Sequence, residues 1–412
     1  MRKRDLRIIR QRTFRNIFLA RAVSLLGTSM APVALAFAVL GEPGGSTAKL
    51  GVVLAGRSIA QVVFLIFGGA LADRFPRYRL MVTSDLLAFA AQAAVGVLFI
   101  SGNSPIVPLV AFSAVNGAAN AMFIPAARGL VPQIVEPSEL QSANALIRLS
   151  QNSARLAGGA ISGAVIVAVG AGWAIGIDAA TFGISAVLVL TSRAPRTGRG
   201  TRRAALLSEL REGWREFRSR QWVWVIAVQF GLVNLCFSSC IYVLGPVVAK
   251  QHWDGALAWS AVVTANATGL ILGSFLAMRL RPARPLLVAT LATFGFLPPC
   301  FLLAAHAPVW LAALAMLVNG ICADVFEVLW MTALQEHIPD DKLSRVTSYD
   351  ALGSFVLGPL GLLAVGPVAA AAGIGTTLAA AGCLMTAGNV LALCTRSIRR
   401  LPAKPEAPPA IT

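Results

Sequence analysis

Residues 68–79 read GGALADRFPRYR and lie between two long apolar runs. This segment holds one acid and three arginines within a few residues, together with Pro76, a residue that breaks helices. A soluble core would not place such a charged segment between apolar runs of this length. The pattern predicts a very short water-facing turn between two membrane helices.

The composition is that of a membrane protein. Hydrophobic residues make up 57% of the 412 positions, only 13% are charged, and the mean hydropathy is +0.73. Globular proteins carry about 25% charged residues. The apolar runs are about 20 residues long, which a helix needs to cross the hydrocarbon core. A transmembrane barrel would show short alternating segments instead.

Twelve such runs predict an all-α membrane protein with spans at residues 16–40, 50–72, 80–101, 106–128, 144–169, 172–192, 222–248, 257–279, 285–305, 308–332, 347–370 and 374–396. One long connection divides them into six and six. The predicted domains are an N-terminal six-helix half at 1–192, a cytoplasmic linker at 193–221, a C-terminal half at 222–396 and a disordered cytoplasmic tail at 397–412.

The formal net charge is +17, and its distribution predicts the orientation. Of the 35 Lys and Arg residues, 30 fall in segments on the same side as both termini, against Lys49 and Lys250 on the other side. Arg21, Arg57 and Arg155 lie inside spans. Positive segments stay in the cytoplasm, so we expect a multi-pass membrane protein with both termini in the cytoplasm. Because the arginines lie at helix ends, no nucleic acid partner is expected.

The linker segment from Ala204 to Arg220 has apolar residues on one helical face and charges on the other. It predicts an amphipathic helix on the inner membrane surface, serving either as a plain linker or as a regulatory site. The six cysteines and three histidines form no metal-binding pattern, and no nucleotide-binding loop is present. We therefore expect neither a metal nor another cofactor.

Two segments repeat within the chain, 68–74 at 273–279 and 134–140 at 337–343. Both repeats fall in the loops after the second and fourth spans of each half. The first repeat keeps its arginine, but Met278 replaces Asp73. The chain is therefore predicted to be two six-span halves related by duplication, a plan used by transporters with a central site.

The motif Gly-x-x-x-Asp-Arg-x-x-Arg-x-Arg at 69–79 resembles the signature loop of the major facilitator superfamily. Within it, the chain is similar to the enterobactin-exporter-like group of bacterial efflux proteins in segments 14–15, 24–27, 71–74, 131–135, 140–144 and 177–182. The resemblance covers nearly the whole chain. It implies two pseudo-symmetric six-helix halves and a secondary transporter that is not an enzyme.

The resemblance also implies an inner latch between the halves, which breaks as the cavity opens inward. The expected latch residues are Gly69, Asp73, Arg74, Arg77, Arg79 and Asp85. A carboxylate at a helix N-terminus is favoured by the helix dipole, and nearby arginines, which we also expect to pair with Asp85, offer ion-pair partners. A simple topology anchor would explain the arginines but not Asp73.

Polar residues inside the spans are candidates for the cavity, since a charge at the bilayer centre costs about 2.5–3.5 kcal/mol. The candidate cavity or substrate residues are Arg21, Thr28, Asn116, Asn120, Arg155, Asn234, Asn319 and Glu327. Glu327 and Asp324 are also candidates for proton coupling, because a buried carboxylate can load a proton. The alternatives are structural salt bridges and hydrogen bonds between helices. Asp178 is expected to support packing, and Arg57 to reach water.

The predicted function is alternating-access export of a small amphipathic organic molecule (a drug, siderophore or natural product) by proton antiport. An importer or facilitator of the same fold, or a non-transporting scaffold, is the alternative. Differences from the family leave the coupling ion open: Thr28 replaces a frequent acid, span four lacks an internal arginine, and span five lacks proline. We expect a monomer whose partners are the substrate, protons and the lipid bilayer.

Overall fold

The computed structural model describes residues 8, 11–136, 139–192 and 214–402, with the backbone alone at 66–74, 128, 141–142, 144–145, 340–341 and 344–345. In this part of the chain twelve helices are long and apolar enough to cross a membrane and no strand occurs, which confirms the predicted fold class. They are α1 Arg12–Gly41, α2 Thr47–Arg74, α3 Arg77–Ile100, α4 Ile106–Ile134, α5 Leu140–Val169, α6 Ala171–Leu190, α7 Gln221–His252, α8 Ala256–Ala277, α9 Pro285–Ala304, α10 Val309–His337, α11 Val346–Ala372 and α12 Ile374–Cys394.

The two faces of the bundle need names. We call the face where α1 begins and α12 ends the terminal face, and the opposite one the distal face. The short helix Arg396–Arg399 follows α12 on the terminal face, and its Ile398 is buried. The ordered chain therefore extends past the boundary predicted at residue 396, while residues 403–412 of the predicted tail lie outside the described residues.

The charged turn within residues 68–79 is shorter than predicted. Helix α2 continues through Arg74 and α3 begins at Arg77, so only Phe75 and Pro76 connect them. Asp73 therefore lies in the last turn of α2, where the dipole of its own helix does not favour a carboxylate. The dipole argument for this acid was wrong.

Three spans change helix type just before a proline. Helix α7 is π-helical at Cys240–Leu244, ahead of Pro246. Helix α9 is a 3₁₀-helix at Thr293–Phe296, ahead of the prolines at 298 and 299. Helix α11 is broken at residues 356–357, ahead of Pro359. A proline ring clashes with the carbonyl four residues earlier, which explains these positions. Prolines inside α1 and α4 are accommodated without a change of type.

Each half packs mainly on itself. In the first half α1 contacts α5 and α6, α2 contacts α4, and α3 contacts both α4 and α6. In the second half α8 packs on α10, and α7 packs on α11 and α12. Between the halves the main contacts are α5 with α8 and α2 with α11. Since α8 is the counterpart of α2 and α11 that of α5, these two contacts are equivalent under a pseudo-two-fold axis.

The halves are in close contact near the distal face. The largest apolar cluster joins both halves there, with Val39 and Leu50 from one and Val248 and Trp259 from the other. The clusters nearer the terminal face each belong to a single half. In the described part of the chain, the bundle is therefore sealed on the distal face and divided on the terminal face.

Glycine permits the distal contact between α5 and α8. A Cβ atom placed on Gly163 would lie 2.7 Å from the Ser260 hydroxyl and 2.8 Å from the Ala256 carbonyl oxygen. Polar groups add to the seal, because Lys250 of α7 donates a hydrogen bond to the carbonyl of Leu40 at the end of α1. The two helix ends that meet here belong to different halves.

Candidate functional site

Three polar side chains lie halfway through the membrane-spanning helices. Arg57 of α2 and Tyr242 of α7 are each ten residues from the distal end of their helix, Thr47 and His252. At 1.5 Å per residue this depth is about 15 Å. Arg155 lies fourteen residues from the distal end of α5, or about 21 Å. Measured from the helix ends, these depths are about one half, one half and two thirds of a bilayer core about 30 Å thick.

The two arginines lie within electrostatic range of Tyr242, although they and the tyrosine come from different halves. The Tyr242 hydroxyl interacts electrostatically with the guanidinium groups of both Arg57 and Arg155. The side chain of Tyr242 is 47% exposed and Arg155 is exposed as well. Helix α2 also contacts the π-helical segment that carries Tyr242. We call Arg57, Arg155 and Tyr242 the mid-membrane cluster, and its exposed groups face the space between the halves.

Asp178 of α6 is the acid that interacts with Arg57. Its side chain is buried and accepts a hydrogen bond of 2.5 Å from Gln92 of α3. A Cβ atom on Gly27 would lie 2.6 Å from its other carboxylate oxygen, so α1 approaches closely here. Asp178 thus links three helices, and Arg57 has an electrostatic partner inside the protein instead of simply reaching water.

Arg21 extends the polar surface toward the terminal face. The amide oxygen of Gln151 accepts hydrogen bonds of 2.6 Å and 3.2 Å from its guanidinium, which joins α1 to α5. Thr28, on the same helix, is half-buried. A largely apolar groove of about 480 Å³ runs between these two helices, lined among others by Phe18 and Leu149.

The asparagines predicted to line the cavity serve mainly in helix contacts. Asn116 and Asn319 are each 1% exposed, so their side chains do not line an open cavity. Asn319 accepts a hydrogen bond of 2.9 Å from Asn266 of α8. Half-buried Asn120 donates to the side-chain and backbone oxygens of Asn116 at 3.2 Å and 3.0 Å.

Asn234 is the fourth of these asparagines, and it joins α7 to the first part of α11. Its amide donates hydrogen bonds of 3.0 Å to the backbone oxygen of Ser354 and 3.2 Å to that of Phe230. The side chain is half-buried. It lies beside the helix break at 356–357, where the backbone of α11 changes direction.

The acids of the second half form a separate group. Glu327 of α10 is exposed and interacts electrostatically with Asp350 of α11. Asp350 is buried and accepts a hydrogen bond of 3.0 Å from the indole of Trp330. Asp324, one turn from Glu327, accepts a hydrogen bond of 2.7 Å from Ser274 of α8. Asp350 was not among the predicted site residues, although it falls inside the predicted span 347–370.

The predicted latch is described only in part. Of its six residues, three lie outside the described side chains, namely Gly69, Asp73 and Arg74. Arg77 donates a hydrogen bond to the backbone oxygen of Gly129, which ties the start of α3 to α4 within one half. Arg79 is exposed on the terminal face.

Asp85 differs from the prediction. Its carboxylate is buried and accepts a hydrogen bond of 2.6 Å from the hydroxyl of Ser185 on α6. The prediction that it pairs with the nearby arginines was wrong, because at this depth its side chain points between α3 and α6 and finds a hydroxyl there. Asp85 therefore supports packing within the first half.

The described end of the linker packs on protein. Residues 214–219 are helical, and Phe217 is buried against the apolar cluster of the second half, with Tyr349 as one ring neighbour. Glu216 forms ion pairs with Arg220 at 2.8 Å and with Lys342 at 3.1 Å. The hydrogen bonds from Arg220 and then Lys342 lower the pKa of Glu216.

The contacts add to the amphipathic-helix prediction. The ion pairs and the buried ring of Phe217 hold the last turn of that helix against the second half of the protein. Residues 204–213 of the predicted helix lie outside the described residues.

The histidines, which are far apart in sequence, partly converge. The rings of His252 and His306 lie together on the distal face, with centroids 4.1 Å apart and an interplanar angle of 46°. Among the residues whose side chains are described, no group of three or more His, Cys, Asp or Glu side chains is arranged to hold a metal ion.

Comparison with known proteins places this geometry in context. A sequence model described as Major Facilitator Superfamily matches residues 17–362. The enterobactin exporter EntS of Citrobacter koseri is 26% identical over 391 residues, which are 90% of this chain and 90% of that protein. The multidrug efflux pump Tap of Mycobacterium bovis is 24% identical over 416 residues, which cover 95% of each chain.

Solved structures share the architecture. A mutant of the nucleoside transporter NupG superposes with a TM-score of 0.77 at 10% identity, covering 93% of this chain and 99% of that one. An auto-inhibited peptide transporter of the POT family also gives a TM-score of 0.77, at 14% identity, with 97% and 99% covered. At these identities the structures establish the fold alone.

Proposed function

Because this chain belongs to the major facilitator superfamily, we propose that it exports a small amphipathic organic molecule by alternating access, driven by inward movement of protons. Members of the superfamily are transporters and not enzymes. The observation that carries the proposal is the mid-membrane cluster. There, side chains of both halves meet in a bundle that is sealed on the distal face and divided on the terminal face.

The terminal face is the cytoplasmic face in this proposal. The distribution of Lys and Arg supports it, with 30 of 35 on the side of the termini. The structure then represents an inward-facing state, from which a substrate enters the cavity out of the cytoplasm. The protein acts as a monomer in the inner membrane of a bacterium, with the two six-helix halves as its domains.

The latch is proposed to act on the cytoplasmic side. In the outward-facing state the terminal ends of the two halves come together, and Asp73 with the arginines of the α2–α3 turn stabilises that contact. In the inward-facing state this contact is broken, as expected for a bundle divided on that face. In the described state Arg77 is hydrogen-bonded to α4. In that state it therefore acts within the first half alone.

The proton pathway is proposed to use the acids of the second half. Glu327 is exposed and interacts with Asp350. Two neighbouring carboxylates can share a proton. Their net charge then depends on the side of the membrane to which the pair is exposed. Asp324, bonded to Ser274, is the second candidate, and its hydroxyl partner offers a path for proton exchange with α8.

The direction of transport follows from the relatives. EntS and Tap are named as an exporter and an efflux pump, which supports export of a siderophore, a drug or a natural product. Neither relative favours an importer or facilitator. A non-transporting scaffold would not require polar side chains from both halves at mid-membrane depth.

The test is transport by the purified protein in proteoliposomes with an imposed pH gradient. The panel contains enterobactin, further siderophores and antibacterial drugs, and an ionophore that collapses the gradient serves as the control. Movement of a panel member against the direction of the protons supports the proposal. Movement together with the protons indicates an importer, and an absence of gradient-driven movement for every compound removes proton-coupled export.

A further inference from the structure

The mid-membrane cluster carries two cations and one hydroxyl at the centre of the bundle. We propose that it binds an acidic group of the transported molecule, so that the substrate is an organic anion such as a carboxylate, a sulfonate or an ionised phenol. This inference rests on the proposed function, because it names the substrate class of the same cavity. Arg57 and Arg155 hold the anion, and Tyr242 donates a hydrogen bond from the opposite half.

The charge balance of the cluster supports an anionic ligand. Among the described residues, no carboxylate lies within 4 Å of the guanidinium of Arg57 or Arg155. Asp178 interacts with Arg57, but a hydrogen bond holds its carboxylate to Gln92 in the α3–α6 contact. Two arginines and one acid leave one net positive charge in the cluster. A bound anion would supply the missing charge.

The geometry suits recognition of an acidic group. Guanidinium groups bind carboxylates and similar oxyanions through paired N–H donors, and here they come from α2 and α5 of one half. The third donor, Tyr242, lies in the π-helical segment of α7, and such segments are frequent at functional sites. A ligand held by all three side chains would connect the two halves. Its binding would therefore favour a state in which they close around it.

A cationic substrate fits the bundle less well. It would have to use the acids of the second half, where Asp324 accepts from Ser274 and Asp350 accepts from Trp330. These hydrogen bonds already orient the carboxylates toward partners in their own half. The exposed Glu327 beside Asp350 already serves the proton pathway in the proposed function. The exposed guanidinium of Arg155, in contrast, faces the space between the halves.

Thermal unfolding of the full-length protein in detergent tests the charge preference. Two xanthene dyes of similar shape are the probes, anionic carboxyfluorescein and cationic rhodamine 6G, together with benzoate and benzenesulfonate. The anions should raise the unfolding temperature of the wild type. Arg155→Gln and Arg57→Gln should each weaken the apparent affinity about tenfold to a hundredfold, because each removes one charged donor.

Matched variants separate binding from folding. Arg155→Lys and Arg57→Lys keep the charge without the paired donors and should retain part of the affinity, while Arg396→Gln removes an equal charge from the terminal face and should behave as wild type. The proposal is overturned if no anion stabilises the protein. It is equally overturned if rhodamine stabilises it instead, or if Arg155→Gln binds anions as tightly as wild type.

The transport assay distinguishes failure of the anion-site proposal from failure of the proposed function. Gradient-driven transport of rhodamine at equal rates in wild type and Arg155→Gln would remove the anion site but leave export intact. Anion binding that depends on Arg155, without gradient-driven transport of any compound, would leave the site in place and remove the export function.

Discussion

Substitution of Gly163 by alanine should open the distal seal. The added Cβ would lie 2.7 Å from the Ser260 hydroxyl and 2.8 Å from the Ala256 carbonyl oxygen, well inside the 3.4 Å at which ordinary contact begins. Overpacking of this kind costs about 1–3 kcal/mol. The cost applies only to the state in which α5 and α8 touch here. The equilibrium should therefore shift about 5- to 150-fold toward the state that is open on the distal face.

Spin labels report this shift by distance. One pair lies on the terminal face, at Glu136 and Arg284, and the other on the distal face, at Asn103 and Ala305, all of them exposed. In Gly163→Ala the distal pair should move apart and the terminal pair should approach. Each pair joins the two halves, so a local distortion of one helix would not move both in opposite senses.

Two further variants control this experiment. Gly176→Ala adds a methyl group where nothing lies within 4 Å, and it should leave all distances at wild-type values. Ser260→Gly in the Gly163→Ala background removes part of the overlap and should restore part of the original distribution. Unchanged label distances in Gly163→Ala, with normal insertion of the protein, would refute the claim that α5 and α8 touch at Gly163 only in the state closed on the distal face.

Three other predictions concern single sites. Asp73→Asn should slow transport about tenfold, because the latch loses one charge-assisted hydrogen bond worth about 1.5–3 kcal/mol; wild-type rates at normal expression would remove the latch. Glu327→Gln should abolish the dependence of transport on an imposed pH gradient while downhill exchange persists, and an unchanged dependence would exclude Glu327 as the proton carrier. The pKa of Glu216 is lowered from its ordinary 4.5, so the ion pairs to Arg220 and Lys342 stabilise the docked linker fully above that pH. This stabilisation should be lost as pH falls through the lowered value, seen as faster proteolysis near residue 214.

Much of the architecture follows from the sequence because hydropathy and charge act on long segments. The twelve spans and their two-half arrangement were predicted from apolar runs near 20 residues and from the repeats, and the family from its resemblance to the motif at 69–79. The structure and comparisons confirmed the fold and the family. Turn details were less predictable. The apolar spans suggested an end for α2 near residue 72, but helical hydrogen bonding continues through Asp73 and Arg74 up to the proline turn.

Side-chain partners depend on which helix faces which, and the sequence alone does not contain that information. Asp85 was expected beside arginines that are close in sequence, yet Ser185 lies opposite it after a hundred intervening residues. Tyr242 was missed because nothing in a single span marks it as facing two arginines of the other half. Its position four residues before Pro246 was a usable signal, since proline displaces the carbonyl at that spacing.

The central claim of proton-driven export is tested most directly in everted membrane vesicles from cells that produce the protein. Respiration fills their lumen with protons, so an exporter should accumulate enterobactin or carboxyfluorescein inside them. We expect accumulation above that of vesicles lacking the protein, and its loss when an ionophore collapses the gradient. Accumulation no greater than in vesicles without the protein, or gradient-driven release of preloaded compound, would contradict the account.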